Sequence, residues 1–131
     1  MQIGSNLKTY ALIGLGGAIG AITRHGVSII ITAKGFPFAT LCANLIGCFL
    51  LSFFLSQDAI RKKLSPDLFA AMNIGIIGSF TTFSTFAIET IELWRTSELA
   101  AMTYCLMSII GGLISCFLGY TASLRKVREQ G

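Results

Sequence analysis

Three long stretches without a charged side chain constrain this chain more than any other feature. Positions 35–57, 68–88 and 99–124 contain no Asp, Glu, Lys or Arg, which gives runs of 23, 21 and 26 residues. A helix needs roughly 20 apolar residues to cross the hydrocarbon core of a bilayer. Three membrane spans follow from these lengths. A fourth extends from about Tyr10 to Thr32 and includes Arg24 and His25. It does not read as a cleaved signal peptide, because no small-x-small site ends a short apolar core and a charge sits inside it.

Composition agrees. Hydrophobic residues make up 53% of the 131 residues and charged residues 12%, against roughly 25% charged in an ordinary soluble domain. A chain this short cannot bury so much apolar surface within itself. The excess must face lipid or a partner chain. The expected architecture is therefore all-α: one four-helix transmembrane domain over 1–131, with spans at about 10–32, 37–56, 68–94 and 99–122. Gly35 and Pro37 mark the first connection, and Pro37 suits the first turn of span 2. The connections around 57–67 and 95–98 are short, so successive helices are expected to be antiparallel neighbours.

An even number of spans puts both termini on one side of the membrane. Seven Lys and Arg residues (Lys8, Arg61, Lys62, Lys63, Arg125, Lys126, Arg128) fall on that side, and two (Lys34, Arg95) on the other. The positive-inside rule then predicts cytoplasmic termini. The net charge of +4 points to anionic lipid headgroups rather than nucleic acid, since no nucleic-acid motif accompanies it. The four cysteines (Cys42, Cys48, Cys105, Cys116) lie inside spans, form no CxxC pair and have one histidine in the whole chain for company. They read as small packing residues rather than metal or redox groups. No nucleophile–base set or catalytic metal site suggests an enzyme.

Span 1 is rich in small residues: Gly14, Gly16, Gly17, Ala18, Gly20 and Ala21. Glycine lowers helix propensity, and in lipid its usual compensation is close helix–helix approach. Span 3 carries two glycines, five hydroxyl residues and three phenylalanines between Gly75 and Phe86. Such a composition allows a break near Gly78–Thr82, and equally an unbroken helix whose hydroxyls bond back one turn. Irregular backbone at membrane depth is tolerated only where protein or a water-filled cavity covers it. A break would free carbonyls on one side, suited to a cation, and N–H groups on the other, suited to an anion.

Phe83 and Phe86 share a helix face and alternate with Thr82, Ser84 and Thr85. The common fate of such phenylalanines is packing. Their positive ring edges also suit a small anion, which they attract without the full charge that would trap it. Asn44, one turn after Thr40, is interhelical glue by default, or a pathway group with two amide donors. Tyr104 and Ser108 form a hydroxyl track or more glue. Arg24 and Glu89 either pair or line an aqueous vestibule; the vestibule is favoured for Arg24.

The segments Gly16–Arg24, Thr40–Gly47 and Gly75–Phe86, followed by Glu89, resemble the CrcB/Fluc fluoride channels in order and spacing across essentially the whole chain. The run Thr81-Thr82-Phe83-Ser84-Thr85-Phe86 is the most specific part. The resemblance implies an antiparallel dimer of subunits in the cell membrane with two fluoride pores, exporting cytoplasmic fluoride passively. It implies a pore lined by Asn44, Phe83, Phe86, Tyr104, Ser108, Thr82 and Thr85, with Arg24 matching the family's span 1 arginine. It also implies a structural sodium ion at the dimer centre, held by the backbone carbonyls of Gly78 and Thr81. The chain departs from the family pattern at Ala39, His25, Ser79 and Gly112.

The seven-to-two charge bias opposes dual insertion of one sequence. A homodimer with dual topology and a heterodimer with an oppositely oriented paralogue both remain open. Two other functions share the four-helix plan: a proton-coupled drug exporter, which wants a carboxylate in span 1 that is absent here, and a non-transporting assembly subunit.

Overall fold

The computed structural model describes the backbone of residues 3–129 and the side chains of residues 6–125. The side chains of Lys126 and Arg128, counted above among the terminal charges, lie outside that range. Helix α1 runs Ile3–Ile30 and α2 runs Phe38–Leu55; a short helix α3 (Asp58–Lys63) carries Arg61, Lys62 and Lys63. The third span is composite: α4 (Pro66–Ala70), a π-helical segment (Ala71–Ile77), α5 (Gly78–Phe80) and α6 (Phe83–Thr96). Helix α7 (Glu98–Glu129) completes the chain. Four stretches are long and apolar enough to cross a membrane: Asn6–Ile30, Phe38–Leu55, Pro66–Thr96 and Glu98–Arg125.

Local chemistry sets the ends. Gly35 takes the left-handed turn before α2, with φ +90°, a conformation in which a side chain would be strained. Pro37 occupies the N-cap position, one residue ahead of the first turn where it was expected. Ser65 caps α4 by accepting from Leu68 N–H at 3.3 Å, with Pro66 next to it in the first turn. Span 1 begins earlier than expected, at Ile3, and ends two residues sooner, at Ile30, while spans 3 and 4 extend beyond both expected limits, because flanking charged residues continue the helices past the apolar stretch.

The third span is interrupted, as its glycines and hydroxyls allowed. Thr81 has ψ 158° and Thr82 has φ −150° and ψ 125°. Two extended residues thus separate α5 from α6. The span changes neighbours across this break: the π segment and α5 lie on α1, whereas α6 lies on α7. Glycines make the first contact possible. A methyl on Gly16 would stand 2.5 Å from Ala71 O, one on Gly20 would collide with Ile76 O, and one on Gly75 would meet Ile13 O at 2.6 Å. Helices α2 and α7 meet the same way, with Gly119 against the backbone of Phe49. Backbone-to-backbone approach replaces the hydrophobic driving force that lipid does not supply between helices.

Little is buried within one chain. Leu41, Leu93, Ala101 and Tyr104 form the small core, flanked by Phe36, Leu45, Phe86 and Ala100. Isoleucines and leucines of α1, α6 and α7 point outward, as a lipid-facing surface requires. Tyr10 and Tyr120 are exposed toward the terminal side, and Trp94 toward the other, the positions where amphipathic rings favour the headgroup region.

Candidate functional site

The break is held from α2. Asn44 Nδ2 donates to Thr82 O at 3.0 Å, and Asn44 Oδ1 accepts from Thr82 N–H at 2.8 Å. The side-chain amide therefore pairs with one residue's backbone as a neighbouring strand would. This consumes the N–H that an unbroken helix would have returned to the Gly78 carbonyl. Asn44 is thus a brace for the break, and one of its two amide donors remains outside that pair.

Threonines finish both edges. Thr81 Oγ1 donates to Ile77 O (3.3 Å) and Gly78 O (3.2 Å) on the α5 side. Thr82 caps α6: its Oγ1 accepts from Thr85 N–H at 3.2 Å and stands 3.0 Å from Thr85 Oγ1. Thr85 Oγ1 also accepts from Arg24 Nη1 at 3.4 Å. Thr82 thus caps the helix that restarts after the break, while Thr81 bonds back one turn to close the helix before it.

Below the break lies an open groove of about 360 Å³, lined by Asn44, Cys48, Thr82, Phe83, Phe86 and Ser108 among others. Its wall is mainly aromatic and aliphatic, with a few polar atoms. Phe83 and Phe86 stand 6.0 Å apart between ring centroids at an interplanar angle of 45°. Phe83 is 80% exposed, so one chain leaves its ring without a covering partner. Ser108 Oγ is buried and unpartnered at the same groove. A hydroxyl so placed is free to donate to a guest.

A second cavity of about 220 Å³ is lined by Arg24, His25, Ser28, Ala39, Thr40, Thr85 and Glu89. Arg24 and Glu89 face this space, and among the described residues they form no ion pair. Arg24 Nε is buried without a partner. Glu89 instead accepts from Thr40 Oγ1 at 2.9 Å and from Tyr104 O–H at 2.8 Å.

The sequence candidates thus fall into two clusters. Asn44, Thr82, Phe83, Phe86 and Ser108 meet at the groove; Arg24, Thr85 and Glu89 meet at the second cavity. Tyr104 is fully buried and directs its hydroxyl to Glu89, so it does not continue a hydroxyl line with Ser108 at the groove. Its ring instead touches Phe86, with centroids 5.1 Å apart. The Thr40–Glu89–Tyr104 network escaped the sequence reading, although Thr40 and Asn44 share a face; helix periodicity alone cannot say which neighbour that face meets. The π-helical segment was likewise unforeseen, because no residue pattern marks a widened turn.

Residues 11–120 match the family described as CrcB-like protein, Camphor Resistance (CrcB). The chain belongs to this family. It is 44% identical over 116 residues to a protein of Bacillus cereus (strain ATCC 10987 / NRS 248) named fluoride-specific ion channel FluC 1, a match covering 86% of this chain and 85% of the relative. It is 39% identical over 121 residues to fluoride-specific ion channel FluC 2 of Listeria innocua serovar 6a, covering 92% and 94% of the two chains. The FluC 2 of Geobacillus kaustophilus is 37% identical over 124 residues, covering 92% and 96%. CrcB membership joins the broken third span and the groove beside it to a set of channel relatives of nearly equal length.

Proposed function

We propose that this protein is a fluoride-selective channel of the cell membrane that lets cytoplasmic fluoride leave passively, and that it is not an enzyme. The observation that carries the reading is the match, across most of the chain, to relatives named fluoride-specific ion channels. The geometry supports it with a groove whose lining suits a small anion. Ring edges of Phe83 and Phe86, the spare amide donor of Asn44 and the unpartnered hydroxyl of Ser108 offer partial positive charge without a fixed cation. An ion held this way can still leave, which conduction requires. Thr82 and Thr85 shape the entrance of α6, whose N-terminal N–H groups favour negative charge. Arg24 draws anions into the vestibule, and Tyr104 serves by holding Glu89 and Phe86 in place.

The functional unit is a dimer of antiparallel subunits, either two copies of this chain in dual topology or this chain with an oppositely oriented paralogue. In the orientation favoured by its Lys and Arg distribution a chain has cytoplasmic termini, and its antiparallel partner has the reverse. The exposed ring of Phe83 supports this reading, because a partner would complete the groove wall. A sodium ion fits the backbone at the break: the oxygens of Gly78 and Thr81 are neutral, hard donors, and the Gly78 carbonyl has lost its helical N–H to Asn44. Bound there, the ion would supply a fixed positive charge joining the two subunits.

Fluoride efflux from liposomes holding the purified protein tests the channel reading. Rapid efflux with negligible chloride efflux is expected; no efflux, or equal chloride efflux, excludes it. Phe83→Ile and Phe86→Ile should each abolish fluoride efflux while the protein elutes as the same dimer. Unchanged efflux in both would remove the rings from the pore.

A further inference from the structure

Two of the four cysteines do not sit as isolated packing residues. Cys48 on α2 and Cys116 on α7 meet across the helix pair: the Cys116 thiol donates to Cys48 O at 3.6 Å, and Ser52 Oγ returns a bond to Cys116 O at 2.7 Å. Glycines of α7 flank this contact. A methyl on Gly112, one turn before Cys116, would stand 3.7 Å from Cys48 Sγ, and one on Gly119 would collide with Phe49 O. Cys48 also lines the groove that contains Asn44, Phe83, Phe86 and Ser108.

We propose that Cys48 and Cys116 form a dithiol clasp for a soft, two-coordinate divalent cation, with the mercuric ion as its type, and that filling the clasp blocks the groove. This inference rests on the fluoride-channel reading for its second half only. The ligand class follows from number, softness and charge. Thiolate sulfur selects soft metals. Zinc wants four ligands, and no group of three or more His, Cys, Asp or Glu that could hold a metal exists among the described residues. Two sulfurs on facing helices instead suit a linear S–metal–S unit. In binding, two S–H bonds break, two S–Hg bonds form, and two protons pass to water. Nothing is oxidised or reduced. The product is neutral, whereas a monovalent ion such as Ag(I) or Cu(I) would leave one negative charge in a low-dielectric interior, where unpaired charge is costly.

The rigid α2–α7 contact gives the clasp its selectivity within the chain. Cys105 has Thr90 as its thiol partner at 3.9 Å and lies eleven residues before Cys116 on α7, about 16 Å along the helix, too far to share the metal. A metal bridging Cys48 and Cys116 stands at the groove wall and ties the two helices that bound it, so ion passage beside Asn44 and Phe86 is obstructed.

The test uses full-length purified protein, treated with mercuric chloride and then passed through a desalting column in glutathione. Intact mass should show one mercury per chain less two protons. Maleimide labelling should then modify Cys42 and Cys105 and spare Cys48 and Cys116. Cys116→Ser should lose the metal to glutathione, while Cys42→Ser and Cys105→Ser should retain it. In liposomes, mercury should slow wild-type fluoride efflux roughly tenfold and leave the Cys116→Ser rate unaltered. Protection of Cys42 or Cys105 instead, or a bridged protein that conducts undiminished, overturns the proposal. If the untreated protein conducts no fluoride, the channel reading fails by itself, and the mass and labelling results still decide the clasp.

Discussion

Asn44 illustrates how one side chain reaches beyond its own helix. Its amide satisfies both the N–H and the C=O of Thr82, groups that the break removes from helical pairing. An unmade bond at a buried polar group costs about 1–3 kcal/mol. Asn44→Ala should therefore lower the stability of the purified protein by about 2–6 kcal/mol, taking two such groups together, and abolish fluoride efflux. Thermal unfolding in detergent and liposome efflux measure the two effects. A variant with normal efflux and lowered stability would show that Asn44 only braces the break. Thr82→Ala removes a helix cap and should cost about 1 kcal/mol, read in the same unfolding assay.

At the scale of elements, small residues decide which helices meet. Gly20 lies under the Ile76 carbonyl, whereas Gly14, on the same helix, has open space where a methyl would go. Gly20→Ala should therefore push α1 away from the third span and reduce expression and thermal stability sharply. Gly14→Ala should be neutral or stabilising by about 0.5–1 kcal/mol, since alanine is the better helix former. The paired measurement separates close approach from propensity: equal effects of the two substitutions would mean that α1 is not seated as described. The break acts at this scale too. It lets one span rest its first half on α1 and its second on α7, and so carries Phe83 and Phe86 to the groove.

A single chain buries little of its apolar surface within itself. Its core is a handful of residues, and Phe83 stands 80% exposed at the wall of the groove. The apolar outer surface suits lipid, and the proposed antiparallel dimer would cover Phe83. Tags at both termini, mapped for accessibility in cells lacking any paralogue, should report both orientations if the antiparallel homodimer operates. A single orientation with intact fluoride resistance would exclude that homodimer; a single orientation with resistance lost, and restored by an oppositely oriented paralogue, would establish the paralogue partnership. Neutralising Arg61, Lys62 and Lys63 should shift the orientations toward parity, because these residues supply three of the seven terminal-side charges.

Span number and all-α class were legible in the charge-free lengths, because a bilayer permits so few solutions for unpaired backbone. The CrcB resemblance was legible in the run from Thr81 to Phe86. The sequence alone left the break undecided, since serine and threonine bond back along a helix as readily as they cap a new one. Only tertiary structure decided it: Asn44, on another helix and 38 positions away from Thr82, takes the backbone bonds that continuity would need. Tertiary placement likewise turned Tyr104 toward Glu89, kept Arg24 and Glu89 unpaired across a cavity, and brought Cys48 against Cys116. Spacing along one helix defines which residues share a face. What that face meets depends on how closely a neighbouring backbone can approach, and here that is set by glycines on several helices at once.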